Sequence, residues 1–134
     1  LGTHEILEVY QRLENNPKFI IFPSLRFEYF LRLLKEADFI IGNSSAGIRE
    51  APHYKVPTID VGLRQQNRSK ASTIVHVDYD QERIVKTIEA VIEQKPTTVQ
   101  VSEFGKGNSD VLFLHLLLSN NIWNVNCQKQ FQDL

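Results

Sequence analysis

Apolar residues recur along this chain at two different periods, and the alternation between them outlines a fold. Ile6, Leu7, Tyr10 and Leu13 fall at helical spacing, with Thr3 as N-cap and Glu5 in the first turn. Asn15-Asn16-Pro17 stops that helix, and residues 18–22 read as a buried strand turned by Pro23-Ser24. Phe27, Phe30, Leu31 and Leu34 mark one face of a second helix. The two phenylalanines read as core packing against a sheet, with base stacking as the alternative. Phe39-Ile40-Ile41 is a second strand, and Gly42-Asn43-Ser44-Ser45 opens a helix that Pro52 limits. Residues 57–61 and 73–77 are further strands, joined by a polar loop over 62–72 that carries Arg64, Gln65, Gln66, Asn67, Arg68 and Lys70. Asp78 or Asp80 caps a helix striped by Ile84, Val85, Ile88, Val91 and Ile92, which Gln94-Lys95-Pro96 ends. After the turn Gly105-Lys106-Gly107, Asn108 or Ser109 caps a strongly apolar helix, broken at Ser119-Asn120-Asn121. The tail from Ile122 reads as one more short helix.

Strands and helices alternate at βαβ spacing. The fold class is therefore α/β, a parallel sheet with helices on both faces and right-handed crossovers. A length of 134 residues suits one domain with a real core. The formal net charge of −1 gives no reason to expect nucleic acid or an anionic membrane as partner. No apolar run approaches the length of a membrane span, and there is no secretory signal. The single cysteine, Cys127, cannot form an internal disulfide, which fits a reducing cytoplasm. The chain begins at Leu1 and contains no methionine, so it reads as a processed or excised piece.

Candidate chemistry concentrates where the Phe39-Ile40-Ile41 strand meets its helix. Free N–H groups and the helix dipole there favour an anion, and the Ser44 and Ser45 hydroxyls add donors suited to phosphate oxygens. Glu50 follows about a turn and a half later, within reach of the hydroxyls of an attached sugar. An ordinary capped helix with Glu50 in solvent is the bland alternative.

The run Gly42-Asn43-Ser44-Ser45-Ala46-Gly47-Ile48-Arg49-Glu50-Ala51-Pro52, then Val56-Pro57-Thr58-Ile59, then Gly62-Leu63-Arg64-Gln65 and Arg68, resembles the UDP-N-acetylglucosamine 2-epimerase family. It is most similar to the hydrolysing branch that starts sialic-acid-type sugar synthesis, and the likeness covers nearly the whole chain. The resemblance implies the C-terminal domain of a two-domain, glycosyltransferase-B-type fold, Rossmann-like, with nucleotide in the cleft beyond the carboxyl ends of the strands. Residues 1–134 would be an incomplete version of that domain, lacking its first strands and the whole N-terminal domain. The strand over 18–22 would then not neighbour the Phe39-Ile40-Ile41 strand. Two unpaired edges would be left, and such a piece should aggregate, swap or pair with another chain.

The family reaction converts UDP-N-acetylglucosamine and water to N-acetylmannosamine and UDP. UDP leaves by anti elimination to a glycal, and water adds at the anomeric carbon with inversion at carbon 2. In the family the proton-moving carboxylates lie in the first domain, with a histidine at the start of the second. The expectation here is therefore no catalytic acid or base, no metal and no cofactor, only a UDP cradle. Ser44 and Ser45 match the family's diphosphate-binding serines, Glu50 matches the glutamate on the ribose hydroxyls, and Arg64 suits phosphate through its bidentate fork. Gln65 and Arg68 are secondary candidates, and residues 23–26 border the uracil. The expected partner is UDP-N-acetylglucosamine or a related UDP-sugar, with a homodimer or higher homo-oligomer as assembly. Alternatives are an epimerase for UDP-N,N′-diacetylbacillosamine, a glycosyltransferase donor domain, and a non-catalytic sugar-nucleotide module.

Three positions depart from the family pattern. Lys55 stands where glycine usually precedes Val-Pro. Asp60 replaces a common asparagine and adds charge near Arg64. Lys106 replaces an aspartate in the Gly-rich turn. His4, His53, His76 and His115 fall at unrelated spacings with no Cys or carboxylate cluster beside them. His76, between Val75 and Val77, reads as a strand-surface or satisfied core residue, and His115 as structural.

Overall fold

A computed structural model describes residues 2–93, 104–119 and 122–124. In chain order the elements are α1 (Thr3–Leu13), α2 (Phe27–Glu36), β1 (Ile40–Gly42), α3 (Ser45–Arg49), a 3-10 turn (Ala51–Tyr54), β2 (Thr58–Val61), β3 (Ile74–Val77), α4 (Gln81–Glu93) and α5 (Ser109–Leu118). A last 3-10 turn, Ile122–Asn124, lies where a short helix was expected. Cys127 and the rest of the tail lie outside the described residues, as do Gln94-Lys95-Pro96.

The three strands form one parallel sheet in the order β1-β2-β3. Ile40 pairs with Thr58 and Gly42 with Asp60, while Thr58 pairs with Ile74 and Asp60 with His76. Side chains alternate across a strand, so Thr58 and Asp60 share one face and Ile59 and Val75 the other. Thr58 meets Gly47 of α3, whereas Val75 lines a cavity with Lys86, Thr87 and Val91 of α4. Helices therefore cover both faces, as a parallel sheet requires.

The core is small and sits around β2. Ile59 and Ala51 are fully buried, with Leu34, Ile48 and Val56 nearly so. Phe30, Ile40 and Tyr54 close over Leu34, Ala51 and Val56. The core reading thus holds for Phe30, while Phe27 stacks on it at 6.4 Å between centroids and is itself exposed.

One expected strand is absent. Residues 18–22 run as irregular chain, and Ile20 is 80% exposed. A strand exists only where a neighbouring ladder satisfies its backbone, and no described strand runs beside this segment. α1 and α5 show the same pattern at helical scale. Neither buries any residue, although α5 is apolar along nearly its whole length. The α1 N-cap is Gly2, at φ 87°, with no side-chain cap from Thr3. Asp80 does cap α4, its carboxylate accepting from the Arg83 N–H at 3.0 Å.

Candidate functional site

The carboxyl end of β1 carries the turn that the sequence singles out. Ser44 is the N-cap of α3, and its Oγ accepts from the Ala46 N–H at 3.3 Å. α3 is only five residues long, and the chain passes at Glu50 into the 3-10 turn, where Pro52 sits in the first turn. A helix this short has little macrodipole. Positive potential at its mouth must come from unpaired N–H groups and from side chains.

The helix is seated by a close approach. Thr58 Oγ1 donates to the Gly47 carbonyl at 2.7 Å, and a Cβ on Gly47 would stand 2.6 Å from Thr58 Cγ2. A β-branched, buried threonine cannot swing aside, so α3 reaches β2 only with glycine at this position. A second glycine, Gly62, ends β2 at φ +84° with the Tyr79 ring against it, and this starts the loop toward the site.

Two cavities lie beside α3. The smaller, about 140 Å³, is lined by Ser45, Ile48, Arg49, Gln65, Arg68 and Phe104. The larger, about 530 Å³, is lined by Glu50 with Phe27, Leu31, His53, Tyr54 and the segment from Phe104 to Gly107. Arg49 and Phe104 line both, and the guanidinium lies 5.8 Å from the ring centroid. One cavity thus presents a hydroxyl and two guanidiniums. Its neighbour presents apolar rings and the Glu50 carboxylate, with Arg49, His53 and Lys106 also on its wall.

Among the four residues singled out from sequence, Ser45 and Glu50 line these adjoining spaces, one each. Ser44 lines a narrow crevice with Gly42, Gly47 and Thr58 and is exposed. Glu50 is half-buried, and no hydrogen bond or ion pair engages its carboxylate among the described residues. Arg64 is exposed and lines neither of the two cavities. The same loop instead brings in Gln65 and Arg68. Gln65 is 1% exposed, and its Nε2 donates to the Asn43 carbonyl at 2.9 Å while its Oε1 accepts from Arg68 Nη1 at 3.0 Å. Neither Arg49, quoted only within the family-like run, nor Phe104 was given a site role from the sequence. The spacing of Arg49 next to Glu50 was a usable signal, but nothing local announces that Phe104 folds back onto it.

The expected charge of Asp60 near Arg64 is answered elsewhere. Asp60 is 1% exposed, and its Oδ2 lies 2.7 Å from His76 Nδ1 on the paired position of β3. His76 is therefore a partnered strand residue. The second Asp60 oxygen, Oδ1, is buried without a hydrogen-bond partner among the described residues. His115, on α5, is exposed.

The family model for UDP-N-acetylglucosamine 2-epimerase matches residues 2–118. The chain belongs to the UDP-N-acetylglucosamine 2-epimerase family. It is 45% identical to the UDP-N-acetylglucosamine 2-epimerase of Neisseria meningitidis over 99% of this chain and 36% of that protein. It is 29% identical to the hydrolysing UDP-N,N′-diacetylbacillosamine 2-epimerase of Legionella pneumophila over 87% of this chain and 30% of that one. The chain thus spans about a third of the length of these curated relatives. The fold matches the crystal structure of the Methanocaldococcus jannaschii UDP-GlcNAc 2-epimerase, solved with UDP-GlcNAc and UDP. The TM-score is 0.70 at 23% identity, over 84% of this chain and 31% of that one. The sheet is accordingly the Rossmann-like, glycosyltransferase-B-type sheet that the 2-epimerase resemblance implied. Lys55, which the resemblance reads as standing in for a glycine, sits at φ 61°, ψ 26° as the cap of the 3-10 turn. A left-handed position favours glycine, so lysine there is strained.

Proposed function

We propose that this chain is the UDP-binding half of a hydrolysing UDP-N-acetylglucosamine 2-epimerase, part of its C-terminal nucleotide-binding domain. One observation carries the reading. A cavity lined by Ser45, Arg49 and Arg68 adjoins, across Arg49 and Phe104, a larger and mainly apolar one that holds the Glu50 carboxylate together with His53 and Lys106, beyond the end of a parallel strand. A nucleoside diphosphate divides its chemistry in the same way. Its diphosphate suits Ser45, Ser44, Arg49 and the arginines of the 62–68 loop, Arg64 included. Its ribose diol supplies two donors to Glu50, and its base suits a flat apolar wall such as Phe27.

In this reading the chain serves the leaving group. Elimination of UDP from the sugar builds negative charge on the diphosphate, and fixed donors stabilise that charge best as it develops. The groups that move protons at carbon 2 of the sugar belong to the rest of the protein. A cytoplasmic location and a homo-oligomer belong to the same reading.

The test is a product assay on the full-length protein with UDP-N-acetylglucosamine. Free N-acetylmannosamine and UDP, with solvent deuterium incorporated at carbon 2, are expected. A sugar still attached to UDP after inversion, or transfer to an acceptor, would overturn the hydrolysing assignment. The likeness to the Legionella protein favours one second reading, in which the substrate is UDP-N,N′-diacetylbacillosamine. The ratio of kcat/KM for the two sugars decides between them.

A further inference from the structure

Gln65 is among the largest fully buried side chains in the molecule, and it is polar. Burying a primary amide is costly unless both ends are paired. Here both ends are. The amide joins two segments remote in sequence, since Asn43 begins the turn that carries Ser44 and Ser45, and Arg68 closes the loop that starts at Gly62. The orientation of the amide is dictated by its partners. A carbonyl can only accept and a guanidinium can only donate, so the reversed amide would lose both bonds. The loop is further tied by the Arg68 N–H, which donates to the Gln65 carbonyl at 3.3 Å.

We propose that Gln65 is a positioning residue that holds the Arg68 guanidinium at the Ser45 cavity, where Arg68 takes the diphosphate of the bound nucleotide. This rests on the UDP-binding reading above and adds a residue to it. Arg68 spends one of its five N–H donors on Gln65 and keeps a fork free for phosphate oxygens. Arg49 brings a second guanidinium to the same cavity, and no carboxylate lines it among the described residues. Unrestrained, a long exposed arginine loses considerable rotamer entropy when it binds an anion. Held beforehand by a buried amide, it loses less.

The experiment is a titration of the full-length protein with UDP, UMP and uridine, in wild type, Arg68→Gln, Gln65→Met and the double variant. Arg68→Gln should weaken UDP roughly ten- to hundredfold, the range for a lost hydrogen bond to a charged group. UMP should weaken less, and uridine should not change. Gln65→Met should follow the same ligand order with Arg68 intact, and the double variant should be no worse than Arg68→Gln alone. A purely structural Gln65 would weaken all three ligands alike and add to Arg68→Gln, which overturns the proposal. An unchanged ratio of UDP to UMP affinity in Arg68→Gln also overturns it. That variant changes an exposed residue, so it decides even where Gln65→Met fails to fold. If wild type binds none of the three ligands, the nucleotide reading falls first, and this one falls with it.

Discussion

The middle of this protein and its flanks are built from equally apolar sequence and reach opposite ends of the burial scale. Ile59, on the central strand, is fully buried, while Ile20, in the Phe19-Ile20-Ile21-Phe22 run, is 80% exposed. α2, with one apolar face, packs Leu34 against the 3-10 turn, while α5, apolar nearly throughout, buries nothing. The difference is one of partners. Every element between Phe27 and Glu93 touches a neighbour that shares its burial, whereas α1, residues 18–22 and α5 have no such neighbour among the described residues. An apolar pattern states what a segment would gain by burial. It does not supply the surface that buries it.

The sharpest way to break this contrast is to truncate one isoleucine from each region. Ile59→Ala should cost about 2–5 kcal/mol in denaturant unfolding, as for a core cavity, and Ile20→Ala within about 0.5 kcal/mol. Equal losses would mean that Ile20 is buried after all. Gly47→Ala should cost about 1–3 kcal/mol, because the new methyl group drives α3 off Thr58. A neutral result in the same unfolding experiment would show that α3 can retreat freely.

At the site, Ser45→Ala should weaken UDP binding by about 1–3 kcal/mol in calorimetry, the cost of one charge-assisted hydrogen bond. Unchanged affinity removes Ser45 from the diphosphate. Glu50→Gln should reduce UDP affinity more than pyrophosphate affinity, since only UDP carries the ribose. Equal losses for both ligands would deny Glu50 that contact. The smallest effect is at Lys55. Lys55→Gly should stabilise by at most about 1 kcal/mol, the left-handed strain relieved less the entropy that glycine adds to the unfolded chain. A marked destabilisation would show that the lysine stem packs usefully over the 3-10 turn.

Much of the fold was legible in local pattern. β1, β2 and β3 appear within a residue of where their apolar runs placed them, and α2 and α4 follow their stripes. The turn at Ser44 and its N-cap were readable because capping chemistry is local. The site was legible only in part. Ser45 and Glu50 stand at cavities, yet Arg64, chosen for its place on the loop, lines neither of them. Arg68 does, because an i, i+3 turn held by a buried glutamine directs it there. Whether a loop arginine faces inward depends on which neighbour buries its anchor, and no spacing rule states that.

The sequence by itself determined the alternation of strands and helices, the capped turn after β1, and the family to which that turn belongs. These rest on periodicity and on short-range hydrogen bonding, which act within a few residues. Tertiary structure alone decided that Gly47 is needed for the approach to Thr58. It also decided that Asp60 pairs with His76, that Phe104 closes over Arg49, and that residues 18–22 form no strand. Each of those outcomes depends on a surface contributed from far along the chain, and a surface of that kind exists only once the chain has folded.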